Sequence, residues 1–335
     1  MLLTIAIPAH NKCYFLNEAI YSIINEDGFG VDFNILISDN SLNDEIEKLY
    51  KKNFSQNRNI EHVNSKNFDS LDSNVNRSIE LSKSEFVWVF GDDDLLVPGI
   101  TKIIINFLKQ NDPNLLILNS QSFRDSDLIE FSRLPSNIRN CYYENQNDEF
   151  LIDLGGYLTF VGCILVRKKL WIENYNKLKI GSYFAHIDCL ASIKNRRKVH
   201  YFSRPAIKMR LGSQTWLDKS FEIWYLLYPD VIWGLENYSK NAKEKVIVRF
   251  PMNSIKAMLA ARAYGRINYK IYKKYFLLSK KVLFIKKILV LIISLIPKKL
   301  LANVYIIYIS LFRKKHNSNF SPKLAKAQLN KKSIL

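Results

Sequence analysis

The chain has few cysteines, and their spacing suits neither a disulfide framework nor a zinc site. Only four occur in 335 residues, at Cys13, Cys141, Cys163 and Cys189, and none forms a Cys-x-x-Cys pair. The N-terminal stretch MLLTIAIPAHNK also lacks the basic segment and the long apolar run of a signal peptide. These absences argue against a disulfide-stabilised secreted domain, and they predict a reduced, cytoplasmic setting for the body of the protein.

Acidic residues are almost missing from the last part of the chain. Residues 240–335 hold 23 Lys and Arg against one acid, Glu244, whereas the preceding residues carry a net charge of −4. This asymmetry predicts an anionic partner for the C-terminal region, either a nucleic acid or an anionic membrane surface. Only four of the 23 basic residues are arginine, and long aliphatic runs separate them, which favours the membrane. A basic nucleic-acid-binding protein is the alternative.

The C-terminal region has no apolar run long enough to cross a bilayer. The run Ile288–Ile296, in which Ser294 is the one polar residue, has nine residues, whereas a spanning helix needs about 20. Pro297 and two lysines separate it from a second, mostly apolar stretch at 300–312. We therefore predict that residues 216–335 form a helical, basic-hydrophobic region that lies on the membrane surface. Ordinary helices of a basic subdomain are the alternative.

In the first 215 residues, short apolar runs alternate with helical patterns. Strands are predicted at 2–8, 33–38, 60–63, 86–90, 115–119 and 199–210, and helices at 14–25, 43–53, 71–82, 98–109 and 184–195. The interval 124–150 is predicted to be mostly loop, and 155–171 to be a strand with a bend. Fully apolar strands between helices indicate an α/β fold whose mostly parallel sheet is covered on both faces. Such sheets bind ligands at the carboxyl ends of their strands.

The densest negative charge follows the apolar run at 86–90, where the sequence reads FVWVFGDDDLL. Adjacent carboxylates repel one another unless a cation lies between them. Hard divalent cations such as Mg²⁺ and Mn²⁺ typically take one or two carboxylates in proteins. Because alternate side chains of an extended segment point the same way, we expect Asp92 and Asp94 to face one ligand while Asp93 turns aside. A solvated turn that caps the next helix is the alternative.

Polar residues also follow the first two strands. Asp39 comes directly after the run at 33–38, where its carboxylate can accept hydrogen bonds from a base or a ribose. Helix capping by Ser41 and Asp44 is compatible with that role. The segment PAHNK at 8–12 follows the first strand and is expected to line the same crevice.

These features, in this order, resemble the family 2 glycosyltransferases over roughly residues 1–215. The resemblance implies a GT-A fold, which is a Rossmann-like, mostly parallel sheet, and a nucleotide-sugar donor bound with Mg²⁺ or Mn²⁺. It implies that Asp39 contacts the base, that Asp92 contacts the ribose and that Asp94 holds the metal. The implied nucleotide-sugar site comprises Pro8, Asn11, Asp39, Asn76, Arg77, Asp92 and Asp93, and the implied metal site comprises Asp94 and Asp92.

An inverting transferase also needs a general base that deprotonates the acceptor hydroxyl. The family places an acid at the start of a helix about a hundred residues past the metal motif. Here the matching stretch, GSYFAHIDCLASIKN, offers His186 and Asp188. We favour Asp188, with Lys194 six positions later, over His186. Gly155–Gly162 is expected near the acceptor, and Trp216 either stacks on a sugar or packs in the core.

The length and the basic tail resemble bacterial O-antigen and surface-polysaccharide sugar transferases of the abequosyltransferase type. That resemblance implies a lipid-linked oligosaccharide acceptor and an enzyme held peripherally on the inner face of the cell membrane. Two departures from the family pattern are Lys12, where arginine is common, and the absence of glycine at Ser73–Asn76. The pair of acids common in the family is also missing near His186, so a GT-A domain that binds nucleotide without catalysis is a further alternative.

Overall fold

The computed structural model describes residues 1–67, 70–134, 137–176, 179–193, 199–213, 216–280 and 282–312. The strands are β1 (Leu3–Ala9), β2 (Phe33–Asp39), β3 (Ile60–Asn64), β4 (Phe86–Val89), β5 (Leu95–Leu96), β6 (Leu115–Arg124), β7 (Asp127–Glu130), β8 (Cys141–Tyr142), β9 (Ile164–Arg167) and β10 (Val199–Arg210). The helices before β10 are α1 (Cys13–Ile24), α2 (Glu45–Asn53), α3 (Leu71–Leu81), α4 (Ile100–Asn111), α5 (Asn147–Leu154), α6 (Lys168–Asn174) and α7 (Ala185–Ser192). Those after it are α8 (Ser220–Glu222), α9 (Tyr228–Gly234), α10 (Lys240–Val246), α11 (Ile255–Ala263), α12 (Tyr269–Tyr275), α13 (Phe284–Leu295) and α14 (Lys298–Phe312).

The central sheet has the strand order β3-β2-β1-β4-β9-β6-β10-β5. Strands β1 to β4 are parallel, and β6 is parallel to β10, while β9 runs antiparallel between β4 and β6. The carboxyl ends of β1, β2, β4, β6 and β10 therefore point to one side of the sheet, which we call the carboxyl edge. The predicted α/β architecture with a mostly parallel sheet is confirmed.

Helices cover both faces of the sheet because successive residues of each buried strand point to opposite sides. In β1, Ile5 and Ile7 belong to the core under α1, α2 and α4, whereas Ala6 belongs to the core under α3, α6 and α7. Every residue of β1 is buried. A strand that is apolar on both faces is what such a covered sheet requires.

The structure refines one prediction for the middle of the chain and contradicts another. The interval 124–150, predicted to be mostly loop, also contains β7, β8 and the first half of α5. The interval predicted as one bent strand forms tight turns at Tyr157–Thr159 and Val161–Cys163, and only Ile164–Arg167 joins the sheet before α6 begins. Buried apolar residues occur in these turns as well as in the strand, so the apolar pattern of the sequence cannot distinguish turn from strand here.

The chain from Ser220 onward is helical wherever the structure describes it, apart from its connecting segments. Helices α9 and α10 pack on the sheet core, and the Tyr228 hydroxyl donates to the Gly155 carbonyl over 3.1 Å. A second core lies between α11, α12 and α13, around Met258, Phe276 and Val290. The division at residue 215 predicted from sequence stays a prediction, since α9 and α10 share the core of the sheet.

No single helix in the described ranges has the length and apolar composition of a membrane span. Only α13 and the part of α14 up to Tyr308 meet that test together, and they are bent by 103° at their junction.

Candidate active site

The acidic turn, Asp92–Asp94, follows β4 at the carboxyl edge. Gly91 fits closely there, because an added Cβ would lie 2.5 Å from Asp94 Oδ2. The chain turns at Asp92 and Asp93 before it enters β5. The expected extended alternation is therefore wrong, since Asp92 and Asp93 share one partner whereas Asp94 points elsewhere.

That shared partner is Lys12, at the start of α1. Its Nζ lies 3.0 Å from Asp92 Oδ1 and 2.7 Å from Asp93 Oδ2. The other Asp92 oxygen accepts the backbone N–H of His10 over 3.0 Å. Burial acts to lower the pKa of Lys12, but the two carboxylates outweigh it and raise that pKa. Burial raises the pKa of Asp92 to about 6 although Lys12 opposes the shift.

Arg210, the last residue of β10, closes the other side of the acidic turn. Its backbone N–H donates to Asp94 Oδ1 over 2.9 Å, and its Nε donates to the Asp93 carbonyl over 2.8 Å. The same guanidinium lies 2.6 Å from Glu18 of α1, and it packs over the rings of Phe15 and Phe123. Burial raises the pKa of Asp94 well above its usual range. Arg210 is the last residue of the strand predicted at 199–210, but the sequence did not predict these contacts.

Asp39 lies at the end of β2, beside Ala9 of β1 in the parallel register. Its Oδ1 accepts the Ser41 N–H over 2.9 Å, and its Oδ2 lies 3.2 Å from His62 Nε2. Burial acts to raise the pKa of Asp39, but the hydrogen bonds from His62 and Ser41 lower it. Asp39 is consequently held as a carboxylate. Asp44, expected to cap the next helix, precedes α2, but its side chain makes no capping hydrogen bond there.

The segment after β1 is tied to the same place. Pro8 pairs in register with Ser38, and the Asn11 N–H donates to Ser41 Oγ over 2.8 Å. Asn11 has a φ of 55°, so the backbone folds back over the strand ends. The structure therefore brings the predicted residues Pro8, Asn11 and Asp39 together at the carboxyl edge, where β4 also ends.

Asn76 and Arg77 are placed differently. The Asn76 carbonyl accepts the Trp171 indole N–H, and its amide donates to Glu80, each over 3.0 Å. The contact with Trp171 holds α3 against α6, and the nucleotide-binding role of Asn76 and Arg77 stays a prediction. Asn74, two positions earlier, does reach the strand ends: its amide donates to the Ser38 carbonyl over 3.0 Å.

The two candidate bases lie in the first turn of α7 and differ in their contacts. His186 is 3% exposed, and its Nε2 donates to the Leu158 carbonyl over 2.8 Å. Burial lowers the pKa of His186 to about 4, so the ring is neutral at pH 7. Burial raises the pKa of Asp188, while Lys179, 3.7 Å away, opposes the shift. Lys194, expected beyond Asp188, lies outside the described residues.

Two further predicted regions have structural roles. In the Gly155–Gly162 segment, the Tyr157 hydroxyl donates to the Leu118 carbonyl of β6 over 2.9 Å. Trp216 lies edge-on to Trp224, with ring centroids 6.0 Å apart, and packs against the sheet core. Of the two alternatives for Trp216, core packing is therefore the one with described contacts.

The acidic turn suits a hard divalent cation in the chemistry of its side chains. Lys12 pairs there with Asp92 and Asp93, and burial raises the pKa of both Asp92 and Asp94, which a bound cation would reverse. Among the residues that the structure describes, no three His, Cys, Asp or Glu side chains form a metal-ligating group. A cation held here by one or two carboxylates would therefore need further oxygens from a ligand such as a diphosphate.

Comparison with known proteins decides the family. The sequence model of glycosyl transferase family 2 matches residues 4–171, half of the chain. The chain belongs to glycosyl transferase family 2. A family 2 glycosyltransferase has the enzymatic activity predicted from the sequence, and this membership favours that hypothesis over the nucleic-acid-binding one.

Individual relatives agree with that assignment. The glycosyltransferase is 26% identical over 225 residues to abequosyltransferase RfbV of Salmonella typhimurium, covering 63% of this chain and 67% of RfbV. It also resembles S. aureus TarS 1-349 in complex with UDP, at a TM-score of 0.56 and 11% identity over 82% of this chain and 78% of that one. The complex of the same protein with UDP-GlcNAc gives a TM-score of 0.53 at 12% identity, over 78% and 81% of the two chains. At these identities the TarS structures support the fold.

Proposed function

We propose that this glycosyltransferase moves a sugar from a nucleotide-sugar to a lipid-linked oligosaccharide with inversion of configuration, in O-antigen or surface-polysaccharide biosynthesis. The RfbV relative supports the pathway class, and the UDP-bound TarS structures support a nucleotide-sugar as the donor substrate. The observation that carries the proposal is the meeting of Asp39 and the acidic turn at one edge of the sheet.

In this proposal each side chain at that edge contacts a different part of the donor substrate. Asp39, a carboxylate with a lowered pKa, would accept N–H or O–H groups of the base, with Pro8 and Asn11 lining the crevice. Asp92 would contact the ribose, and Asp94 and Asp92 would hold Mg²⁺ or Mn²⁺. The metal would offset the negative charge that develops on the departing diphosphate. Lys12 would stand beside the same diphosphate, since its ammonium already lies against Asp92 and Asp93.

In an inverting transfer, the acceptor oxygen attacks the anomeric carbon from the face opposite the diphosphate. The bond from carbon to the acceptor oxygen forms as the bond to the diphosphate oxygen breaks, and a base takes the acceptor's proton. We assign that base to Asp188, because burial raises its pKa and makes it a stronger proton acceptor than an exposed carboxylate. His186 is less suited, since its Nε2 proton is already donated to Leu158.

The membrane role rests on the outer faces of α13 and α14. On α13 the exposed side chains recur at helical spacing, at Phe284, Ile288, Ile292 and Leu295. A second exposed stripe on α14 is formed by Leu300, Val304 and Ile307, each more than half exposed. In water such stripes are normally turned inward.

An anionic membrane surface is the partner that suits these stripes. Lys299 is exposed at the junction of α13 and α14, and Lys286 and Lys287 are half-buried beside the first stripe. Apolar residues flanked by lysine are typical of a helix in the lipid interface, with its ammonium groups toward anionic headgroups. Peripheral binding on the inner face of the cell membrane would bring the carboxyl edge to a lipid-linked acceptor.

Thermal unfolding with a panel of UDP-, CDP-, GDP- and dTDP-sugars, each with and without Mn²⁺, tests the donor substrate. Ligands that bind only the native state raise the unfolding midpoint, and at a fixed ligand concentration the rise grows with the logarithm of the affinity. We expect one nucleotide class to stabilise the enzyme, and only with Mn²⁺. Stabilisation without any sugar transfer or donor hydrolysis would instead indicate the non-catalytic GT-A domain. No stabilisation by any member would contradict the proposal.

A further inference from the structure

A buried carboxylate outside the predicted site organises the loop that leads into α7. Asp72, in the first turn of α3, is 3% exposed. Its Oδ2 accepts the N–H groups of Gly181 and Tyr183, each over 2.9 Å, and its Oδ1 accepts the N–H of Ala185 over 3.1 Å. Three alternate N–H groups of one loop thus converge on a single side chain.

The loop has the backbone conformation that such convergence needs. Gly181 has a φ of 92° and Tyr183 a φ of 64°, so left-handed residues alternate along the segment. Backbone of this kind curls its N–H groups toward one point and forms a concave anion site. A tyrosine at positive φ is costly unless its surroundings hold it there. The Asp72 carboxylate supplies that restraint.

The loop that Asp72 binds ends where α7 begins, and α7 carries the candidate base. Ala185 is the first residue of α7, so its N–H has no partner within the helix and takes Asp72 instead. A negative charge at this end also complements the helix dipole. Asp188 lies in the same first turn, three residues further along. Its position is therefore fixed by the contact between α3 and the loop.

The same turn of α3 is also fastened to the carboxyl edge. Asn74 donates to the Ser38 carbonyl, and its Oδ1 accepts the Ser38 hydroxyl over 2.7 Å. A longer contact of 3.4 Å joins its amide to the Ala9 carbonyl. One helical turn thus contacts the ends of β1 and β2 through Asn74 and the start of α7 through Asp72.

We infer that Asp72 is a positioning residue, which holds the loop at 181–185 so that Asp188 faces an acceptor bound beside the donor substrate. This inference rests on the proposed function for Asp188 as base. In this role Asp72 touches no substrate, because both of its carboxylate oxygens accept backbone N–H groups of the loop. An error of about 1 Å in the position of a catalytic group can lower the rate about a hundredfold.

Two variants of the same helical turn separate positioning from general destabilisation. Asp72→Asn replaces one acceptor oxygen with an N–H₂ group that faces the loop amides. Asn74→Ala removes an equally buried side chain that contacts the strand ends instead. With the nucleotide-sugar that gives the largest stabilisation in the panel, Asp72→Asn should lower kcat about 10- to 100-fold and leave the donor KM within twofold. Asn74→Ala should chiefly raise the donor KM.

Gly181→Ala provides a second variant in case Asp72→Asn does not fold. A Cβ there meets open space, so the change strains only the left-handed backbone. It should reproduce the loss of kcat with an unchanged donor KM. Wild-type kcat in both variants, or the same kcat and KM changes in Asp72→Asn and Asn74→Ala, would overturn the inference.

Amide hydrogen exchange tests the same contact without any substrate. In Asp72→Asn the protection of residues 181–188 should fall, while residues 36–41 of β2 and its end should exchange as in the wild type. Unchanged protection at 181–188 would overturn the inference by itself. If the wild-type enzyme turned over no member of the panel, the proposed function would fail, and the exchange result would still decide whether Asp72 holds the loop.

Discussion

The carboxyl edge of the sheet buries charged side chains, whereas the outer face of α13 and α14 exposes apolar ones. At the carboxyl edge, Asp39, Asp92 and Asp94 are each less than a tenth exposed. On α13, Phe284 is 77% exposed and Leu295 is 63% exposed. Each arrangement is unfavourable in water, since buried charge and exposed apolar surface both cost free energy.

The comparison leads us to propose that a different ligand completes each region. Buried carboxylates become favourable when a cation and hydrogen-bond donors reach them, which a metal-bound nucleotide-sugar supplies. Exposed apolar stripes become favourable when lipid covers them. Substitutions at the edge should therefore change turnover and leave vesicle binding unaltered, and substitutions on the stripes should do the reverse.

The largest effect is expected at the candidate base. Asp188→Asn keeps the size of the side chain but cannot take a proton, so kcat should fall about 10²- to 10⁴-fold. His186→Gln retains an N–H donor for the Leu158 carbonyl and should lose less than tenfold. Steady-state kinetics on the two variants would decide between them. Near-normal turnover by Asp188→Asn would transfer the role of base away from Asp188.

Removing one charge from the acidic turn should have the next largest effect. Asp94→Asn leaves an acceptor for the Arg210 N–H but weakens metal binding, and turnover should fall about 10²- to 10³-fold. Titration with Mn²⁺ should show a raised requirement for the metal. Asp44→Asn, an exposed aspartate after β2, is the matched control and should be near wild type. Equal losses in both variants would contradict a specific role for Asp94.

The apolar stripes should govern membrane binding. Removing α13 would take Val290 and Ile293 out of the second core and expose their partners Met258 and Phe276, so surface substitutions are a cleaner test than truncation. Phe284→Ser combined with Ile292→Ser and Leu300→Ser should weaken binding to vesicles of phosphatidylglycerol and phosphatidylethanolamine at least about tenfold.

The matched control for that triple variant lies on the sheet domain. Val31→Ser with Phe131→Ser removes side chains that are 78% and 69% exposed, and vesicle binding should not change. Cosedimentation measures both variants. Loss of binding in the control, or full binding in the triple variant, would place the membrane contact elsewhere.

The smallest predicted effect is a shift of pH dependence. Burial raises the pKa of Asp188 and Lys179 partly opposes it, so Lys179→Met should raise that pKa further. A base is active when deprotonated, so kcat is retained above this pKa and falls as the pH drops through it. The acid limb of the kcat profile should therefore move to higher pH in Lys179→Met. An unmoved limb would mean that another group titrates.

The strands that sequence reasoning predicted well are mostly buried on both faces, and the partly buried edge strand β3 is the exception. The first five predicted strands match β1 to β4 and β6 closely, because apolar runs between helices have few other solutions. The same rule placed Asp39 and the acidic turn at one edge, since parallel strands end together. Local pattern was sufficient for these residues.

The contacts that were missed join residues far apart in the chain. Asp72 contacts a loop more than a hundred positions away in the chain. Asp94 accepts the N–H of Arg210, which is equally distant in sequence. No local spacing signals such pairs. A buried aspartate in the first turn of a helix usually indicates capping, and an arginine at a strand end usually indicates solvent exposure.

Asn76 illustrates a different limit. Its position in the family-like segment suggested nucleotide binding, yet the register of α3 turns it toward Trp171 and turns Asn74 toward the strand ends. Successive residues of a helix point about 100° apart. Choosing between neighbours therefore requires the packing of the helix as well as its sequence.

The bond from Arg210 to Asp94 has a consequence for the order in which the enzyme matures on the ribosome. The acidic turn is synthesised early, but among the described strands β5 pairs with β10 alone, and the turn is closed by the last residue of that strand. A nascent chain ending near residue 171 would contain every segment matched to the family and still lack this closure. Metal affinity should therefore appear abruptly during synthesis, once Arg210 has left the exit tunnel.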